Sequence, residues 1–178
     1  MPHTWGIPEL LESAMSWNTY YQRKHAIAEV LDNARRDPRS ALDTIPNPFT
    51  GAGELLAALH YKWMQQLNGR VEVALADTEH SPHGDRVEAV TTAWRRTAAT
   101  NPALRDVLEH HAEHPVLRAA NAQQHRMLAL AAGLAEQHED EHDIARVGQA
   151  FLHLLRATPA QAEERSRPGV LRKLIPSR

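Results

Sequence analysis

Residues 51–76, GAGELLAALHYKWMQQLNGRVEVALA, decide the fold. At about 100° per residue, Leu56, Leu59, Trp63, Leu67, Val71 and Ala74 fall in one sector roughly 120° wide, the apolar stripe of a core-facing helix. Lys62, Gln65 and Gly69 occupy the opposite side. Two polar residues interrupt the stripe: His60 projects among Leu56, Trp63 and Leu67, and Arg70 sits at its edge. Asn68-Gly69 is a common turn dipeptide, and the VEVAL that follows alternates as a short strand would. Val71 and Ala74 nevertheless stay in phase with the stripe, so the helix is read straight through.

Outward from this helix, prolines act as punctuation, because proline is tolerated at a helix start and costly in its interior. Upstream, residues 9–36 place Leu10, Ala14, Trp17, Tyr21, His25 and Ala28 on one face, with Leu31 at its margin. Asp37-Pro38 ends that helix. Pro38, Pro46 and Pro48 then hold the residues before them extended, which makes the segment up to Thr50 a crossover loop. Downstream, Asp85 is the expected N-cap of a helix in which Val87, Val90 and Trp94 face inward. Asn101-Pro102 opens a short helix carrying Leu104, Val107, Leu108 and His111 on one face, which must end before Pro115. From Pro115 a long helix places Val116, Ala120, Met127, Leu130 and Leu134 in register, with Gln123 intruding and His138 continuing the stripe. Run unbroken to Ala157, its apolar face would swing by roughly 80° to 90° at the standard pitch, so a break is expected in HEDEH, residues 138–142. A last main helix buries Ile144, Val147, Gly148, Phe151 and Leu155, and Thr158-Pro159 caps a short polar one. The expected fold is all-α: a single helical bundle of five or six helices over residues 1–164, with a proline-rich crossover loop and a short basic C-terminal tail, residues 165–178.

Composition narrows the function classes. A chain of 178 residues is most simply one domain, and its abundant alanine predicts helices that approach closely through small side chains. The absence of cysteine removes disulfides, thiolate metal sites and thiol nucleophiles. No apolar stretch approaches a membrane span, and the N-terminus lacks a basic region followed by an apolar run; a cytoplasmic protein is expected. A formal net charge of −2 argues against a nucleic-acid binder held by bulk electrostatics. Charge is uneven along the chain: Glu136, Glu139, Asp140, Glu141 and Asp143 form an acidic knot, and Arg165, Arg167, Arg172, Lys173 and Arg178 make the tail basic. In the tail, Val170 with Leu174 and Leu171 with Ile175 pair at i,i+4, so it can dock on the bundle or on a partner, with Arg172 and Lys173 as the contact residues. The tight link before Val116 suits a helix-turn-helix, but Gln123, Gln124, His125 and Arg126 give the second helix no basic face.

Histidine is the feature that stands above background. His25, His60, His111 and His138 project from apolar faces of four different expected helices. Neutral imidazole is the commonest metal-ligating side chain, and helical bundles build metal sites from inward side chains on facing helices. Residues four apart share a helical face, a condition met by His110 with His114, by His138 with His142 and by His25 with Glu29. With twelve histidines in the chain, such pairs arise by chance. A single histidine in the second helix, His60, followed later by the pair His138 and His142, is similar to the arrangement in DinB-like four-helix metalloproteins; the similarity covers those three residues. Nucleophilic catalysis has no support, since Ser13, Ser16, Ser40 and Ser81 lie in no recognisable setting and neither Gly-x-Ser-x-Gly nor a phosphate-cradling glycine loop occurs.

Three functions follow as expectations. The first is a non-catalytic helical interaction or regulatory module, self-associating as a homodimer or binding a protein partner, with no cofactor. The second is a metal-binding bundle that holds a divalent transition metal through His60, His138, His142, His25, Glu29 and His111 and activates a water or substrate at an open position. The third is a small-ligand sensor in which His60, Arg70 and Gln123 converge in an interhelical pocket.

Overall fold

The computed structural model describes residues 7–79 and 84–158, with side chains over 17–78 and 84–158. Six α-helices and no strand occur among them: α1 (Ile7–Ala34), α2 (Ala52–Glu79), α3 (Arg86–Thr100), α4 (Pro102–His110), α5 (Pro115–Ala131) and α6 (Glu141–Ala157), with one 3-10 turn, Ser40–Leu42, in the crossover loop. The chain is therefore an all-helical bundle, as its periodicity predicts. None of the described helices is long and apolar enough to cross a membrane. The tail with Arg172 and Lys173, and the short helix expected after Thr158, lie outside the described residues.

The stripe on α2 forms the centre of the core. Leu56, Leu59 and Leu67 are fully buried, Trp63 and Val71 nearly so, and Ala74 is packed at the margin. The helix passes through Asn68-Gly69 without a break. It touches α3, α4 and α5, so burying this one stripe organises half of the bundle. The expected starts of α3 and α4 also hold. Asp85 accepts hydrogen bonds from the backbone N–H groups of Val87 and Glu88, satisfying two donors that the first turn leaves open, and Pro102 occupies the first turn of α4.

Two stripes differ from expectation. On α1, where the expected Leu10 and Ala14 lie outside the described side chains, the buried residues among those described are Ala26, Val30 and Ala34, while His25 and Ala28 are exposed and Trp17 and Tyr21 are each 60% exposed. The cause is where the neighbours lie: α1 meets α4 and the 3-10 turn, and it does so through alanine and valine. The aromatic rings of Trp17, Tyr20 and Tyr21 contact one another instead, with centroids 5.5 to 6.4 Å apart. On α5, Leu117, Gln124, Leu128 and Ala129 are buried, whereas Val116 and Leu134 are substantially exposed and Gln123 faces solvent. This helix is wedged between α2 and α6, so its inward face is set by two partners at once. Gln124, not Gln123, is the polar intruder.

The break between α5 and α6 begins earlier than HEDEH. The helix stops at Ala131, and Gly133 takes a left-handed conformation with φ 70°. The Gly133 N–H donates to Leu130 O and the Leu134 N–H to Ala129 O, the paired bonds of a Schellman closure. Arg86, at the start of α3, completes it by donating Nε to Ala131 O (3.0 Å) and Nη2 to Leu130 O (3.1 Å). His138 thus falls in the link and is exposed, and α6 opens inside HEDEH with Asp140 as N-cap, accepting from His142 N–H at 2.8 Å. Of the residues expected inside, α6 buries Ile144, Gly148, Phe151 and Leu155, with Leu152 added and Val147 only half-buried. Gly148 lies directly against the backbone of His125 on α5, which makes α5 and α6 the most extensively apposed pair.

Candidate functional site

Where α2, α4, α5 and α6 meet, they leave a cleft of about 570 Å³, into which α3 contributes Trp94. Its floor is apolar and aromatic: Trp63, Trp94 and Leu152 line it and are almost completely buried. His60 and Gln124, 8% and 6% exposed, are the polar residues of that floor. His60 is brought there by the α2 stripe itself, between Leu59 and Trp63. Burial holds its pKa below the ordinary value, and a weaker opposing pull comes from the Gln124 side chain; the imidazole is neutral at physiological pH. Neither His60 Nε2 nor Trp94 Nε1 has a hydrogen-bond partner.

The walls are charged. Arg105 of α4 and Arg156 of α6 both bind the same carboxylate oxygen, Glu109 Oε1, at 3.0 and 3.1 Å. The Arg105 guanidinium also lies 5.3 Å from the centre of the Trp94 ring, so it joins the charged wall to the aromatic floor. Arg118 and Arg146 line the cleft as well, the latter paired to Asp143 at 2.9 Å. Among the lining residues four arginines face two carboxylates, Glu109 and Glu113. His125 and His153 stand beside Arg156; burial first, then the charges of Arg156 and His153, hold the His125 pKa below its usual value. The arginines and carboxylates that line the cleft sum to a net positive charge.

Of the residues singled out in the sequence, His60 and His142 are brought together in this cleft. The other metal candidates stand apart. His25 and Glu29 are exposed on α1, and His138 pairs with Glu136 through Nδ1 at 3.2 Å on the exposed link. His111 closes the end of α4, its ring 4.9 Å from that of His110, and burial with its neighbours His110 and His114 lowers its pKa. Among the described residues no group of three or more His, Cys, Asp or Glu side chains could hold a metal ion. The expected ligand triad is likewise reduced to His60: Arg70 donates Nη2 to Thr100 Oγ1 at 3.1 Å and does not line the cleft, and Gln123 gives way to Gln124.

The residues that the sequence reading missed are Arg105, Arg118, Arg146 and Arg156. They lie on three helices, Arg105 on α4, Arg118 on α5 and Arg146 with Arg156 on α6, and the local signals among them are the i,i+4 pair of Arg105 with Glu109 and the i,i+3 pair of Arg146 with Asp143. No family model, no curated protein and no solved structure matches the chain.

Proposed function

We propose that this protein is a small-ligand sensor whose site is the cleft between α2, α4, α5 and α6. The observation that carries this reading is a cavity of about 570 Å³ lined by His60 and Trp94, each of which has a buried polar atom, Nε2 and Nε1, without a hydrogen-bond partner. A buried polar group without a partner costs about 1–3 kcal/mol, a cost that a ligand with a matching donor or acceptor offsets. The cavity falls within the roughly 300–1,000 Å³ range of small-molecule sites and has their usual make-up of an apolar body with a few placed polar groups. A ligand seated there would touch four helices at once, so binding would change how firmly α4 and α6 are held to α2.

The test is an NMR titration with small aromatic probes, indole, benzoate and benzamide, that follows the indole N–H resonances of Trp63 and Trp94. Ala122→Trp is the companion variant, because Ala122 lines the cleft from an exposed position and a bulky ring there fills it without cutting into the core. Probe-dependent shifts that vanish in Ala122→Trp are expected. Resonances that no probe moves, or that move equally in the filled variant, would refute the site.

A second reading has its own support. The exposed Trp17, Tyr20 and Tyr21 on α1 favour an interaction module that self-associates or binds a protein partner, since grouped exposed aromatics mark contact surfaces. Light scattering across a concentration series, compared with a Trp17→Ser/Tyr21→Ser double variant, tests it; a chain that stays monomeric at every concentration removes the homodimer.

A further inference from the structure

We infer that the cleft selects an organic anion: a planar apolar body bearing one carboxylate or a similar oxyanion, seated beside the Arg105–Glu109–Arg156 triad. This rests on the cleft being the ligand site and adds the chemistry of what it takes. Two guanidiniums share a single carboxylate oxygen, at 3.0 and 3.1 Å, so the triad carries one uncompensated positive charge. Because both arginines reach the same oxygen, they are near neighbours, and a second oxyanion placed against them would complete an alternating arrangement of charges. Guanidinium groups match carboxylate geometry through paired N–H donors, and Arg105 and Arg156 each have donors beyond those given to Glu109.

The apolar half of the ligand follows from the same residue. Arg105 lies over the Trp94 ring at 5.3 Å, so an oxyanion that reaches it has its body directed over Trp94 and Trp63. Arg118 adds positive charge to the same cavity, which Arg146, paired to Asp143, also lines. A neutral ligand would leave that charge unanswered, and a cation would be repelled. An inorganic anion alone would leave the apolar part of the cavity unfilled.

The experiment compares two probes of nearly one shape, indole-3-acetate and its neutral amide, by isothermal titration of the full chain at pH 7.5. The acetate is expected to bind about ten-fold or more tightly than the amide, in keeping with a charge-assisted contact, and to lose that advantage as potassium chloride is added. Arg156→Gln, at a half-exposed position, should abolish the preference by bringing acetate affinity down to that of the amide; Glu109→Gln should act in the opposite sense and strengthen acetate binding. Equal affinity for acetate and amide would overturn the anion inference and leave the cleft reading standing. A preference that survives Arg156→Gln, or that Glu109→Gln fails to strengthen, would overturn the assignment to the triad. If neither probe binds at millimolar concentration, the inference and the sensor reading fall together.

Discussion

Gly148→Ala separates the packing described here from helix propensity, because the two effects have opposite signs. In an unconstrained helix interior, alanine is worth about 0.5–1 kcal/mol more than glycine. At 148, however, the added Cβ would overlap the carbonyl group of His125 and stand 2.9 Å from its Cα. These are backbone atoms that cannot rotate away. Relief requires α6 to retreat from α5 by about an ångström, a gap that forfeits a quarter to a half of each dispersion contact. Ile144, Phe151, Leu152 and Leu155 are buried on this helix, each worth about 2 kcal/mol when fully buried. The loss is about 2–4 kcal/mol, and the propensity gain leaves about 1–3 kcal/mol of net destabilisation, within the usual cost of overpacking. For a chain of this size that corresponds to a fall in Tm of at least about 2 °C and up to about 12 °C. Urea denaturation at constant pH measures it, with Gly69→Ala as the internal control: Gly69 lies mid-helix in α2 with no atom within 4 Å of a built Cβ, so that variant should gain about 0.5–1 kcal/mol. If Gly148→Ala proves as stable as Gly69→Ala, the close α5–α6 approach is wrong.

Asp85→Ala should cost about 1 kcal/mol through loss of the α3 N-cap, and Asp85→Asn should recover most of it in the same thermal melts. Arg86→Met removes the two hydrogen bonds from α3 onto the last carbonyls of α5; its exposure reduces the charge-assisted value, and a loss of about 1 kcal/mol is expected, with faster amide exchange at Gly133 and Leu134 as the diagnostic. Unchanged exchange there would mean that the Schellman closure holds without it. Stability should also depend on pH. The folded-state pKa of His60 lies below its unfolded value of about 6.5, so between the two the unfolded chain binds more protons; the contribution is complete above about pH 6.5 and is lost as pH falls through that window, with a slope of at most about 1.4 kcal/mol per pH unit for one group. His111 and His125 act in the same direction. Denaturation at pH 7.5 and pH 5.5 should show the drop, and His60→Leu should make it shallower; a slope unaltered by that substitution would place the titration elsewhere.

How much of this could be read from the residues differs from helix to helix. The α2 stripe is legible because Leu56, Leu59, Trp63 and Leu67 are large, apolar and free of competitors, so hydrophobicity alone names the inward face. The caps at Asp85 and Pro102 are legible because they depend on neighbouring backbone groups. The faces of α1 and α5 are not, because alanines decide them: Ala26, Ala34 and Ala129 are buried for their small size, while Trp17 and Tyr21 look like core residues and are exposed among the described residues. The early stop of α5 had its signal in Gly133, which a helix-wide periodicity passes over. Of the cleft, His60 was visible as a polar residue in an apolar stripe and His142 as half of an i,i+4 histidine pair. Its arginines sit on polar faces that any sequence reading assigns to solvent, and only the three-dimensional crossing of α4 with α6 sets Arg105 and Arg156 on one carboxylate.

The most extensive helix contacts, α5 with α6 and α2 with α3, are each between neighbours in the chain. Such pairs close over short loops and lose little chain entropy in doing so, and a topology dominated by local contacts folds rapidly. The two hairpins can each form early, and their later docking through α2 and α5 is the step that brings Gln124 to His60. If the hairpins form first, the cleft is completed only by their docking, and a ligand held there would slow unfolding more than it speeds folding.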